Sequence, residues 1–276
     1  MRAGTFAWCV VLAAGLLGAC SPAPGDSELH VSETNPQVLY ADGVSQYVSF
    51  ASAALSEQIQ AIEKNENMLP FKDAAAIRVI FMTDPDQFEA ITGVSREARS
   101  GLVGNDIYLL EPSFGLPNQV RQALTWQLVR LYVYQHAGAF RSRVIIPDWF
   151  VTGTSLAVSG GGASNEWVMA READEWVRQG MSFFPVPYRG LWAEESPEAL
   201  GLTQAMYNTQ TKMFATFLIS KNEAAFHQVV KHSFDTNDFG LLWRQYYGQT
   251  LRQLWADYNE ILRTPFVPKT VAEPQS

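Results

Sequence analysis

Two apolar stretches near the middle of the chain, residues 123–130 and 147–157, limit the folds open to it more than any other part of the sequence. In the first, Leu124, Leu128 and Leu131 recur at helical spacing, and neither Gly nor Pro interrupts the run before Gly138. That pattern predicts a helix with one leucine-rich face. The second opens on Pro147 and Asp148 and then carries Trp149, Phe150, Leu156 and Ala157, which predicts a second buried helix. The 276 residues allow one large domain or two small ones, and with 47% hydrophobic residues they can bury a sizeable core.

Taken together, the two stretches resemble the paired helices of the gluzincin metallopeptidases, the thermolysin-like group. In that family the first helix carries His-Glu-x-x-His. The second typically reads Pro-x-Trp-Leu-x-Glu-Gly-x-Ala, and its Glu is the third zinc ligand. Here the His-Glu-x-x-His positions hold Trp126, Gln127, Leu128, Val129 and Arg130, and the third-ligand position holds Thr152, just before Gly153. A catalytic zinc needs about three protein ligands and an open position for water. Trp126 offers only an N–H donor, and Arg130 is a permanent cation without an acceptor that would repel a dication. Gln127 has no titratable group with which to take a proton from water. Thr152 brings at most a hydroxyl. The resemblance therefore implies a catalytically inactive, peptidase MA-like domain that holds no metal or cofactor. Its degenerate cleft would be marked by Trp126, Gln127, Arg130 and Thr152. The alternative is an active envelope metallopeptidase or hydrolase that uses a non-standard site.

Ahead of this region lies a targeting segment. Arg2 gives a minimal positive start, and residues 6–17 are mostly apolar but too short for an ordinary membrane span. Leu17, Gly18, Ala19 and Cys20 resemble a bacterial lipobox, which implies a signal peptide over residues 1–19 and acylation of Cys20. More than one acyl chain is needed for stable anchoring. A plain secretory signal with Cys20 unmodified is the other reading. Ser21, by the same resemblance, points to the outer membrane of a Gram-negative cell, and so to the cell envelope on its periplasmic face. With Cys9 removed and Cys20 acylated, no thiol remains for a disulfide or a cysteine metal site. Residues 20–38 are rich in Pro, Ser and acidic groups and read as a flexible tether. The folded domain is expected over residues 39–264 and a disordered tail over 265–276.

Residues 44–64 carry a helical stripe of Tyr47, Ala51, Ala54, Leu55, Ile59 and Ile62. Residues 77–82 are short and rich in β-branched and aromatic groups, as a buried strand is. Asp84 and Pro85 start a short helix through Phe88 and Ile91, and Gly104-Asn105 between two apolar runs signals a hairpin. This order resembles the small mixed sheet that precedes the zinc helix in gluzincins, so the expected fold class is α+β, with a mainly helical C-terminal half. In those enzymes an edge strand runs along the cleft and pairs with the substrate backbone. Residues 106–110 are the expected counterpart, either as a peptide-binding edge or as an ordinary sheet edge. Gly138 is a helix stop, residues 159–164 a glycine-rich connector, 166–179 a helix, and 183–188 an aromatic loop. Helices are expected over 203–220 and 222–232. The clearest amphipathic pattern runs from Leu251 to Leu262, capped by Thr250 and Gln253. The resemblance spans about residues 47–262.

A formal charge of −8 argues against a nucleic-acid footprint. His30, His136, His227 and His232 lack the spacing of a metal set and read as surface or capping residues. Trp126 and Arg130, four apart, share a helix face. They form either a cation–π shelf that meets a peptide carboxylate, or a filled cleft in which Arg130 pairs with Glu172 or Asp174. The expected partners are thus the membrane, through Cys20, and an envelope protein or peptide.

Overall fold

A five-stranded mixed sheet lies on the N-terminal side, and a mainly helical half follows it, so the fold is α+β. The computed structural model describes residues 29–42, 44, 47–64, 68–160, 169–187 and 197–263. The expected signal peptide over residues 1–19, Cys20, the glycine-rich residues 161–164, Tyr188 and the expected tail over 265–276 lie outside the described residues. No helix among the described residues is long and apolar enough to cross a membrane.

The stretch expected as tether is folded from Leu29 onward. Strand β1 (His30–Val31) pairs antiparallel with β2 (Val38–Tyr40), and Ser32 and Asn35 in the turn between them are buried. Their side chains reach helix α1 (Val48–Glu63): Ser32 Oγ lies 3.2 Å from Ser52 Oγ, and Asn35 donates to the Ser52 carbonyl at 3.4 Å. Short polar side chains that bond backbone build tight turns as readily as they solvate linkers. Composition alone does not separate the two cases.

Strand β3 (Arg78–Met82) occupies the centre of the sheet, parallel to β2 on one side and to β5 (Asp106–Leu110) on the other. Its alternation feeds two cores. Val79 and Phe81 join Ile107 and Leu109 in the main core, whereas Ile80 and Met82 join Tyr108 and Leu110 beneath Phe88 of helix α2 (Pro85–Thr92). Burial on both faces explains why this strand is a continuous apolar run. Helix α2 starts as expected: the Asp84 carboxylate accepts from the Asp86 and Gln87 N–H groups, with Pro85 in the first turn.

Gly104 sits at φ +59° in the hairpin that joins β4 (Ser100–Val103) to β5. The strand order β1-β2-β3-β5-β4 corrects one expectation. Residues 106–110 are interior, and β4 is the edge. The physical reason is burial. Ile107, Tyr108, Leu109 and Leu110 have apolar layers to fill on both faces, while the short β4 ends in exposed Val103 and contributes little to either.

Helix α3 (Pro117–Val144) carries the first apolar stretch. Gly138 breaks it at φ 75°, ψ 167°, and one further helical turn or two resumes beyond. Helix α4 (Asp148–Ser159) carries the second stretch, with Pro147 at its cap. It packs between α3 and helix α6 (Gln204–Lys221). Helices α5 (Ala170–Arg178), α7 (Glu223–Ser233), α8 (Phe239–Tyr247) and α9 (Leu251–Arg263) complete the described helices. Trp149, Phe150, Phe183, Phe214, Phe239, Trp243 and Trp255 interlock at their centre in edge and tilted contacts. Phe183 is therefore core, while Phe184 beside it is exposed.

Candidate functional site

Where α3 and α4 meet beside the edge strand, a cleft of about 1220 Å3 opens. Trp126, Gln127, Arg130 and Thr152 all line it. The helical repeat explains the convergence within α3: residues 126, 127 and 130 lie within one turn and present toward β4 and α4. Thr152 arrives from the facing side of α4, one turn beyond Asp148.

Each of the four side chains has a defined setting. The Arg130 guanidinium lies 5.3 Å from the Trp126 ring centroid, a cation–π contact of the expected kind. Trp126 itself is buried. Gln127 is only 4% exposed. Its amide nitrogen donates to Ser100 Oγ of β4 at 2.8 Å, which ties the helix to the edge strand. Its carbonyl Oε1 is buried against the cleft with no hydrogen-bond partner among the described residues. An amide acceptor left so costs stability unless something else donates to it. Thr152 donates to Asp148 Oδ2 at 3.2 Å, and the Tyr207 hydroxyl reaches the same oxygen at 3.4 Å.

The far wall comes from α6, where Gln204 Nε2 donates to Asn208 Oδ1 at 2.8 Å. Sequence reasoning missed these two residues, together with Ser100, Asp148 and Tyr207. One signal was available for the α6 wall. Asn208, Thr209, Gln210 and Thr211 form a polar run in a helix otherwise built for a core, and all four are buried. Gln210 uses its burial structurally, accepting from the Phe183 N–H at 3.1 Å and donating to the Met181 carbonyl at 2.9 Å.

The donor set in the cleft does not suit a catalytic metal. Two carboxylates line it, Asp106 and Asp148, but Asp106 is held in a two-point pair with Arg78. Among the described residues no three His, Cys, Asp or Glu side chains gather as a metal site would require. The histidines lie elsewhere. His30 bonds Asp42, His136 stacks on Phe234 near the Pro70 carbonyl, His232 stacks on Tyr246, and His227 sits on α7. Asp174, on α5, feels the positive charge of Arg178.

The cleft can therefore stack, donate and accept hydrogen bonds, and offer one strand edge. It supplies no general base at position 127 and no imidazole. Compared with known proteins, the chain matches no protein-family profile, and no curated sequence is similar to it.

Proposed function

We propose that this chain is an envelope lipoprotein, anchored through Cys20, whose folded domain is a catalytically inactive metallopeptidase-like scaffold that binds a protein or peptide segment in its cleft. One observation carries the reading. The four residues standing at the gluzincin metal and general-base positions come together at one cleft beside a sheet edge, and none of them can do that chemistry. A scaffold that keeps the cleft but replaces the ligands with Trp126, Gln127, Arg130 and Thr152 retains a place for an extended chain. Two features favour a peptide-like occupant. Strand β4 presents its outer edge to the cleft, where a segment can add by main-chain hydrogen bonds. The buried Gln127 carbonyl, set against the same space, takes an N–H donor.

The test has two arms. Purified protein incubated with zinc is assayed by metal analysis and against a quenched fluorogenic peptide library. A photo-crosslinking side chain is also placed at Val103 or Tyr134 in the cleft, with Glu97 as a control outside it, and expressed in cells. The expected result is no stoichiometric zinc, no cleavage, and a discrete adduct from the cleft positions alone. Zinc-dependent cleavage would refute the inactive reading. Adducts equally strong from Glu97 would refute the cleft as the binding site.

A further inference from the structure

A second groove, of about 970 Å3, lies away from the cleft, between the loop that ends at Pro187, the start of α8 and the start of α9. Its floor is core: Phe239 and Leu251 are buried. Its walls are apolar and open to solvent, with Phe184 50% exposed and Leu241 53% exposed. Isolated exposed apolar residues need no explanation, but two of this size facing one groove do.

The walls are held rigidly. Trp149 Nε1 donates to the Val186 carbonyl at 2.9 Å, which fixes the loop between Phe184 and Pro187. Arg141 donates to the Thr236 carbonyl and to Asn237 Oδ1, which fixes the turn ahead of α8. Gly240 lets the two walls approach, since a Cβ there would stand 3.0 Å from Pro187 Cβ. A groove held in shape before binding spends little on ordering itself.

Charge identifies the occupant. Arg244 and Arg252 line the groove and are exposed, and neither forms an ion pair among the described residues. The one acid in the lining, Asp238, is already engaged as the α8 cap, accepting from the Leu241 N–H at 3.0 Å. In a chain of net charge −8, two arginines beside an apolar groove are a local reversal of sign. We infer that this groove docks an acidic segment of a partner protein, which places an apolar side chain between Phe184 and Leu241 and its carboxylates on Arg244 and Arg252. This inference is independent of the cleft reading.

Fluorescence anisotropy tests it on the full folded chain, with two short labelled peptides that share the same Leu and Phe positions and carry either Glu or Lys between them. The Glu peptide is expected to bind and the Lys peptide not to. The double variant Arg244→Glu/Arg252→Glu should weaken binding by about tenfold, since like charges across an interface are strongly disfavoured. Leu241→Asn, which keeps both arginines, should weaken it by about fivefold through lost apolar contact. Rising salt should weaken it as well, because both arginines are exposed to screening. Glu97→Gln, at an exposed site outside both grooves, should leave it unchanged. All these substitutions are at exposed sites or away from the groove, and circular dichroism checks that each variant is folded. The inference is overturned if the Glu peptide does not bind, if both peptides bind alike, or if the double variant binds as well as the unaltered chain. Binding to vesicles of anionic phospholipid that the same double variant abolishes would overturn it too, in favour of a lipid surface.

Discussion

Gly153→Ala offers a test in which two physical effects predict opposite signs. Gly153 lies inside α4, directly after Thr152, and faces α6. A Cβ at this position would stand 2.5 Å from the Thr211 carbonyl oxygen, 3.0 Å from its carbon and 3.3 Å from Ala215 Cβ. The obstacle is backbone, so no rotamer change relieves it, and α4 must retreat by roughly 1 Å to reach ordinary contact distance. Helix propensity alone favours alanine over glycine by about 1 kcal/mol. Overpacking of this kind costs about 1–3 kcal/mol, and here it also pushes apart two helices in direct contact. The expected net effect is a loss of up to about 2 kcal/mol. In a domain of this size that is a fall in Tm of up to roughly 8 °C. Urea and thermal denaturation measure it. A rise in stability of about 1 kcal/mol, the value propensity alone predicts, would refute the close approach of α4 to α6 and with it the placement of Thr152 in the cleft.

Four further outcomes follow from the same geometry. Ser100→Ala removes the hydroxyl that accepts from the buried Gln127 amide and should cost about 1–3 kcal/mol in urea denaturation; an unchanged midpoint would show that this bond does not tie α3 to β4. Asp174 has a buried Oδ1 with no hydrogen-bond partner among the described residues, and burial holds its carboxyl above the ordinary Asp range, with Arg178 pulling the other way. The folded state then keeps a proton that the unfolded chain has released, so stability falls as the pH rises through that window; Asp174→Asn should be more stable than the unaltered chain at neutral pH and lose the advantage in acid. His136 is pushed down by burial, against the Pro70 carbonyl that accepts from its ring, so its contribution to stability is whole above about pH 6.5 and is lost as the pH falls toward the depressed value. His136→Gln should flatten that part of the stability–pH profile, and a profile of unchanged slope would count against it. Thr250→Ala breaks the reciprocal cap in which Gln253 accepts from the Thr250 N–H and donates its own N–H to Thr250 Oγ1; a loss of about 1 kcal/mol is expected, with helical circular dichroism otherwise intact.

The helices are legible because their determinants lie within a turn or two of one another. The stripe of Leu251, Leu254 and Tyr258 is found buried along α9, and the caps at Asp84 and Thr250 form the hydrogen bonds their residue types call for. Gly138 interrupts α3 at the expected position. The turn around Ser32 and Asn35 was not legible, because what orders it is a bond to α1 seventeen to twenty residues away. The α6 wall of the cleft was hidden for a similar reason: Gln204 and Asn208 have no meaning until α4 is packed against them.

By itself the sequence determined most of the local pieces: the principal helices, the strands β3 to β5, several caps and stops, and that positions 126, 127, 130 and 152 carry neither imidazole nor carboxylate. Those properties reside in single side chains and in periodicity over a few residues. Only the tertiary structure decided that β4, not β5, stands at the sheet edge, that these four positions share one cleft, and that a second groove lined by Arg244 and Arg252 exists. These depend on which distant surfaces are buried against one another, and burial is a property of the whole packed chain.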